Sequence, residues 1–227
     1  MKPRCLSIAM FFCALGFGGV QVHGATITYF DEINATITNW TANVELPKFD
    51  PALGVLNKVI LEMDAGVKGV ARFESLDPQP STVSTNFAAS IRLRRPDLTD
   101  LLVAWPKAHL SESISAYDGV LDFGGASGRT HDNLAASEFA STELVGPLAP
   151  SDEDLFVGAG EMVTLNVRAR GESRGSGAGN LYLLFNTYAA ATVYITYDYT
   201  PIPEPATIAL LGAAGILVRP RRRFARR

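Results

Sequence analysis

Apolar and polar residues alternate one by one through several stretches of this chain. In MVTLNVRAR, Val163, Leu165, Val167 and Ala169 fall on one side and Thr164, Asn166, Arg168 and Arg170 on the other. TVYITYDY repeats the pattern, with Val193, Ile195, Tyr197 and Tyr199 set against Thr192, Tyr194, Thr196 and Asp198. TVSTNFAASIRLRR does the same, with Val83, Phe87, Ala89, Ile91 and Leu93 opposite Ser84, Asn86, Ser90 and Arg92. A period of two sends successive side chains to opposite faces of a pleated strand, one face for a core and one for water. Half-buried strands of this kind belong to antiparallel sheets. Residues 25–200 sustain no helical spacing with caps, apart from turns expected near 97–102 and 149–156. Strand-like runs separated by Gly, Pro, Asn and Asp clusters predict an all-β chain, an antiparallel β-sandwich of jelly-roll or Greek-key type.

The two ends read differently. Lys2 and Arg4 precede an apolar run over 6–20 and then Val22-His23-Gly24, the layout of a secretory signal peptide with cleavage expected between Gly24 and Ala25. Both cysteines, Cys5 and Cys13, lie in that segment, so the processed chain has no thiol for disulfide, thiolate or metal chemistry. At the other end stands PIPEPATIALLGAAGILVRPRRRFARR. As a helix, its apolar run over 206–218 covers roughly 20 Å, less than a hydrocarbon core of about 30 Å. The basic cluster of Arg219, Arg221, Arg222 and Arg223, with Arg226 and Arg227 beyond, favours the cytoplasmic side of a membrane, and long side chains snorkel to stretch a short span. Prolines 201, 203 and 205 hold the preceding strip extended and open to a protease. The expectation is a short transmembrane helix resident only until cleavage, with three parts to the chain: 1–24, 25–200 and 201–227.

Processing would change the charge. Of 20 basic residues the signal holds Lys2 and Arg4 and the tail six arginines, leaving 12; of 23 acidic residues only Glu204 is lost, leaving 22 and a net charge of −10. Affinity for phosphate backbones rests on Lys and Arg, so nucleic acid is not an expected partner.

The tail, with Pro203-Glu204-Pro205, the apolar run containing Leu-Leu-Gly and the arginine-rich end, resembles the PEP-CTERM sorting signal of Gram-negative bacteria. That resemblance implies recognition of Pro203, Glu204 and Pro205 by exosortase, a membrane peptidase, after signal peptidase has acted at Gly24 and Ala25. It also implies a transient stay in the inner membrane, and delivery to the cell surface or an exopolysaccharide matrix. Pro220 departs from the pattern by interrupting the arginines. The order PKFDPALGVLNKVILEMD, RRPD, YDGVLDFGGASGRT, ARGESRGSGAGN, ATVYITYDYT is similar to the choice-of-anchor E domain and spans nearly all of 26–200. Its most specific pieces are Phe49-Asp50-Pro51 with Leu53-Gly54, and Tyr117-Asp118-Gly119 with Asp122-Phe123-Gly124. This resemblance implies a β-rich surface domain and no established catalytic activity.

Each motif of chemically capable residues has a plainer reading. Asp50 before Pro51, followed by Gly54, is turn chemistry. Asp118 and Asp122 beside flexible glycines are candidates for a shallow calcium site, but they lack the EF-hand pattern and turn formation is the better account. No other metal or cofactor is expected. Asp152, Glu153 and Asp154 read as a solvated loop. GESRGSGAGN lacks the Lys and Ser/Thr of a phosphate loop and reads as a flexible hairpin connection before LYLLF. His131-Asp132 has no nucleophile motif, and once His23 is lost only His109 and His131 remain. The sequons at Asn34 and Asn39 are idle in a bacterial export context.

The function expected from these features is that of an exported non-enzymatic surface or matrix protein. A carbohydrate-binding module is the alternative, with Trp40, Trp105 and tyrosines 117, 182, 188 and 194 as stacking candidates. A glycoside hydrolase, with two carboxylates across a cleft, is a third. Both tryptophans are expected mainly in the core, Trp40 after an alternating segment and Trp105 at the end of the apolar LLVAWP.

Overall fold

In the computed structural model, which describes residues 4–5 and 24–202, the alternating segments close into two antiparallel sheets. The strands are β1 (Arg4–Cys5), β2 (Ala25–Ile37), β3 (Trp40–Pro47), β4 (Gly54–Ser75), β5 (Ser81–Arg94), β6 (Asp100–Ala104), β7 (Lys107–Ile114), β8 (Gly128–Val145), β9 (Met162–Gly171), β10 (Arg174–Ser176) and β11 (Leu181–Pro201). One sheet has the order β1-β2-β11-β4-β8. The other has β3-β9-β5, with β10 continuing the β9 side of β5 and β6 and β7 in succession along its opposite edge. Strand β2 therefore pairs with β11, β3 with β9, β4 with β8, and β5 with β6 and β7, as though a long hairpin had been folded at its middle. The β11–β4 and β9–β5 pairings roll that ribbon shut. This is jelly-roll connectivity, one of the two topologies the sequence predicts.

The core lies between the sheets and takes one face of each strand. Val59, Leu61, Met63 and Ala65 of β4 and Val193, Ile195 and Tyr197 of β11 meet Phe87, Ile91 and Leu93 of β5 and Val163, Leu165 and Val167 of β9, all buried. Tyr197 places its ring against Phe49 and donates its hydroxyl to the Pro47 carbonyl at 2.8 Å; burial, with Tyr29 nearby, holds its phenol well above the usual range. A second small cluster of Phe73, Val83 and Ile114 fills one end of the roll beneath Leu181 and Leu183.

The Phe49-Asp50-Pro51 segment is a turn, as read. Asp50 accepts from the Ala52 amide at 2.9 Å and caps a short 3-10 turn over Pro51–Leu53, while a Cβ on Gly54 would stand 2.2 Å from the Thr200 carbonyl oxygen. Three other expectations are corrected. GESRGSGAGN is not a hairpin: β10 inside it joins β5, β11 begins in the other sheet, and the segment is a crossover between layers. Acidic 152–154 is not a free loop but part of a helix, α1 (Pro150–Phe156), where Arg95 grips Asp152 at 2.9 and 3.2 Å in a partly buried pair. Of the turn expected over 97–102, the bend occupies Pro96 and Asp97, and β6 begins at Asp100.

Among the described residues no helix is long and apolar enough to cross a membrane. The tail residues expected to act in sorting, Pro203, Glu204, Pro205 and the arginines from 219 onward, lie outside the described residues, as does most of the expected signal. Arg4 and Cys5 of that segment pair with Phe30 and Tyr29 at the sheet edge, and Ala25, just after the expected cleavage bond, opens β2 opposite Tyr199.

Candidate ligand-binding face

Because Ile91, Leu93, Val167 and Ala169 point into the core, period two sends Arg92, Arg94, Arg168 and Arg170 out of the same sheet. The register between β5 and β9 then brings them together: Arg92 is directly opposite Arg168, Ser90 opposite Arg170, and Arg94 opposite Asn166. Like charges directly opposite one another in a sheet repel. Arg92 is relieved by an ion pair with Asp100, and Arg94 donates to Asn166, which in turn donates to Asn43. The guanidinium groups of Arg168 and Arg170 have neither ion-pair nor hydrogen-bond partner among the described residues. Desolvation, followed by the fields of Arg170, Arg94 and Arg92, lowers the Arg168 pKa from its ordinary value. The face holds positive charge that its own carboxylates do not neutralise.

Three shallow grooves of about 430, 610 and 440 Å³ cross this face and join at Glu172. The first and third share Arg168 and Arg170; the second adds Lys107, Arg174 and Trp105. Trp105 is 47% exposed, against the expectation of a core position. The reason is parity: Leu102 and Ala104 of β6 are buried, which turns Trp105 outward at the break where Pro106 separates β6 from β7. Its backbone N–H donates to Glu138 of β8 at 2.8 Å. Trp40 is half-buried and packs on the core, though its indole N–H finds no hydrogen-bond partner among the described residues.

The other sequence candidates are placed elsewhere. Tyr182, Tyr188 and Tyr194 lie on β11 in the opposite sheet, Tyr182 against Phe123 and Tyr194 against Phe30, so the exposed aromatics form no single strip with Trp105. Tyr117 stands in the 115–127 loop, where its amide donates to the Asp77 carbonyl at 2.8 Å. In that loop Asp118 accepts from the Val120 and Ala126 amides at 3.0 and 3.2 Å, and Asp122 from the Gly124 amide at 2.8 Å. These amides hold the Asp118 carboxyl below its usual range. Both carboxylates therefore serve as turn caps, and among the described residues no group of three or more His, Cys, Asp or Glu is placed to hold a metal ion. His131 contacts Glu112 at 3.1 Å and His109 contacts Asn86 at 3.0 Å, each paired locally on the sheet surface.

One determinant of the loop has no signature in the sequence. Glu74, at the end of β4, is fully buried and accepts from the Phe123 amide at 2.8 Å and from the Ser127 hydroxyl at 2.5 Å. A Cβ on Gly128 would fall 2.2 Å from its carboxylate, so Gly128 gives the latch its room.

No protein-family model matches the chain, and no curated protein matches it. Among solved structures it is similar to the VP2 subviral particle of infectious bursal disease virus at 12% identity, covering 91% of this chain and 52% of that one, with a TM-score of 0.19. The Gt strain structure of the same virus aligns at 11% identity, with 90% and 52% coverage and a TM-score of 0.13. The chain thus spans about half the length of these capsid chains, and likeness at this level carries no argument about function.

Proposed function

We propose that this chain is an exported, non-enzymatic protein of the bacterial cell surface or extracellular matrix, and that its working surface is the arginine-rich outer face of the β3-β9-β5 sheet. The observation that carries the reading is an imbalance of charge. Of the 12 basic residues between 25 and 200, six (Arg92, Arg94, Lys107, Arg168, Arg170 and Arg174) line the joined grooves, against three of 22 acidic ones. A domain with a net charge of −10 that gathers half its cations on one open face is built to hold an anion there. Nothing about the grooves favours hydrolysis. Glu138 and Glu172 line one groove, yet both side chains stand exposed, whereas the acid catalyst of a glycosidase is set apart by apolar surroundings.

Export and sorting rest on the sequence of the two ends. Signal peptidase acts at Gly24 and Ala25, the short apolar run and its arginines hold the chain in the inner membrane, and an exosortase reads Pro203-Glu204-Pro205 outside it. Glu204 is the discriminating residue, a single carboxylate between two prolines. In a host with a matching exosortase, Glu204→Ala is expected to leave a larger form in the inner membrane while the parent chain reaches the surface shortened. A variant processed and displayed like the parent would contradict the sorting assignment.

A further inference from the structure

The three grooves join into one track across the sheet, from Leu98 and Asp100 past Arg168 and Arg170 to Trp105 and Arg174. A continuous open track suits an extended ligand better than a compact one. Its lining is mixed. Cations alternate with carboxylates at Asp100, Glu172 and Glu138 and with neutral donors and acceptors at Ser90, Asn86, Asn39 and Thr41. A phosphodiester chain with no hydroxyl beside its charges would leave those carboxylates facing like charge with no donor to accept from. A ligand that carries hydroxyl groups between its negative charges would give them hydrogen bonds to accept.

We infer that the track binds an acidic polysaccharide, a chain of sugar units bearing carboxylates, with Arg168 and Arg170 taking the carboxylates and the Trp105 ring stacking on a sugar face. This rests on the reading of the sheet face as the working surface and names the class of ligand. Arg168 and Arg170 suit the role because their guanidinium groups are unpartnered among the described residues and a planar fork grips a carboxylate with two parallel hydrogen bonds. A bound carboxylate would also relieve the repulsion between Arg92 and Arg168, which face each other across the β5–β9 ladder. Trp105 adds a flat apolar surface beside Lys107 and Arg174 in the same groove.

The test uses the full chain, purified in non-ionic detergent, and its retention on three immobilised polymers: polygalacturonate, neutral dextran and polyglutamate. Polygalacturonate should bind, should release as salt screens the arginines, and should bind at least about tenfold more tightly than dextran or polyglutamate. Arg168→Glu with Arg170→Glu should weaken polygalacturonate about tenfold or more, and Trp105→Ala about threefold. Lys68→Glu, on the exposed outer side of the opposite sheet, shifts net charge by two units, as a single arginine reversal does, and should leave binding unchanged. Unchanged melting of each variant establishes that the fold is intact; if the double reversal unfolds, Arg170→Gln alone is measured and should weaken binding by a smaller factor. Equal binding of polyglutamate and polygalacturonate, equal loss in Lys68→Glu, or full binding after the arginine changes would overturn the inference. None of those results bears on sorting, which the processing of Glu204→Ala decides separately.

Discussion

Glu74 illustrates how much one buried residue can set. Its carboxylate satisfies the Phe123 amide and the Ser127 hydroxyl inside the roll, and the loop that contains Asp118 and Asp122 folds over it. Glu74→Ala is expected to cost about 1–3 kcal/mol, since it strands a buried hydroxyl and a part-buried amide, and to speed hydrogen exchange at Phe123. Glu74→Gln keeps an acceptor and should cost less; equal exchange in parent and Ala variant would dismiss the latch. Asp118 gives the same loop a pH dependence. Its folded pKa is depressed by the Val120 and Ala126 amides, so the stability it adds is present above the ordinary carboxylate value of 3.8 and is lost as pH falls through the lower folded value. Protection factors at Val120 and Ala126, exchange corrected for its intrinsic pH dependence, should therefore fall below pH 3.8 and hold steady above it, and Asp118→Asn should abolish the step. The sequence announces these aspartates, because Asp-Gly and Asp-x-Gly are turn signals, but it gives Glu74 no mark. Glu74 closes the polar-looking end of a strand, and only the tertiary approach of a loop 49 residues away makes it a core residue.

Among the elements, β5 and β9 are legible almost in full. Their period of two gives both the buried set and the outward arginines, and a truncation at the buried set should be expensive. Leu165→Ala, fully inside the core, is expected to destabilise by about 2–5 kcal/mol in chemical denaturation. A loss below 1 kcal/mol would mean that β9 does not face the other sheet. What the pattern does not contain is register. Arg92 and Arg168 are 76 positions apart, and their meeting depends on how β5 and β9 align, which alternation leaves free. The same alternation, applied to LLVAWP, would have placed Trp105 outside. An unbroken apolar run conceals parity, and the run reads as core throughout although Trp105 ends it on the solvent side. The glycine-rich segment hides its crossover for a related reason: glycines announce a change of direction but not whether the next strand joins the same sheet or the other one.

At the scale of the molecule, the jelly roll gathers basic residues on one face of an otherwise acidic stretch, and on the proposed reading the two ends of the chain supply its address. The fold class follows from alternation alone, since strands with one apolar face each must stack in two layers. The proposed binding face required the structure, because its three grooves draw residues from β3, β5, β6, β7, β8, β9 and β10 and from the β6–β7 break. The central claim is that the roll works outside the cell, freed from both ends. Intact-mass measurement of the form recovered from the host surface tests it most directly. The account predicts a chain beginning at Ala25 and lacking residues 221–227; a surface form that still carries those arginines, or still begins at Met1, would contradict it.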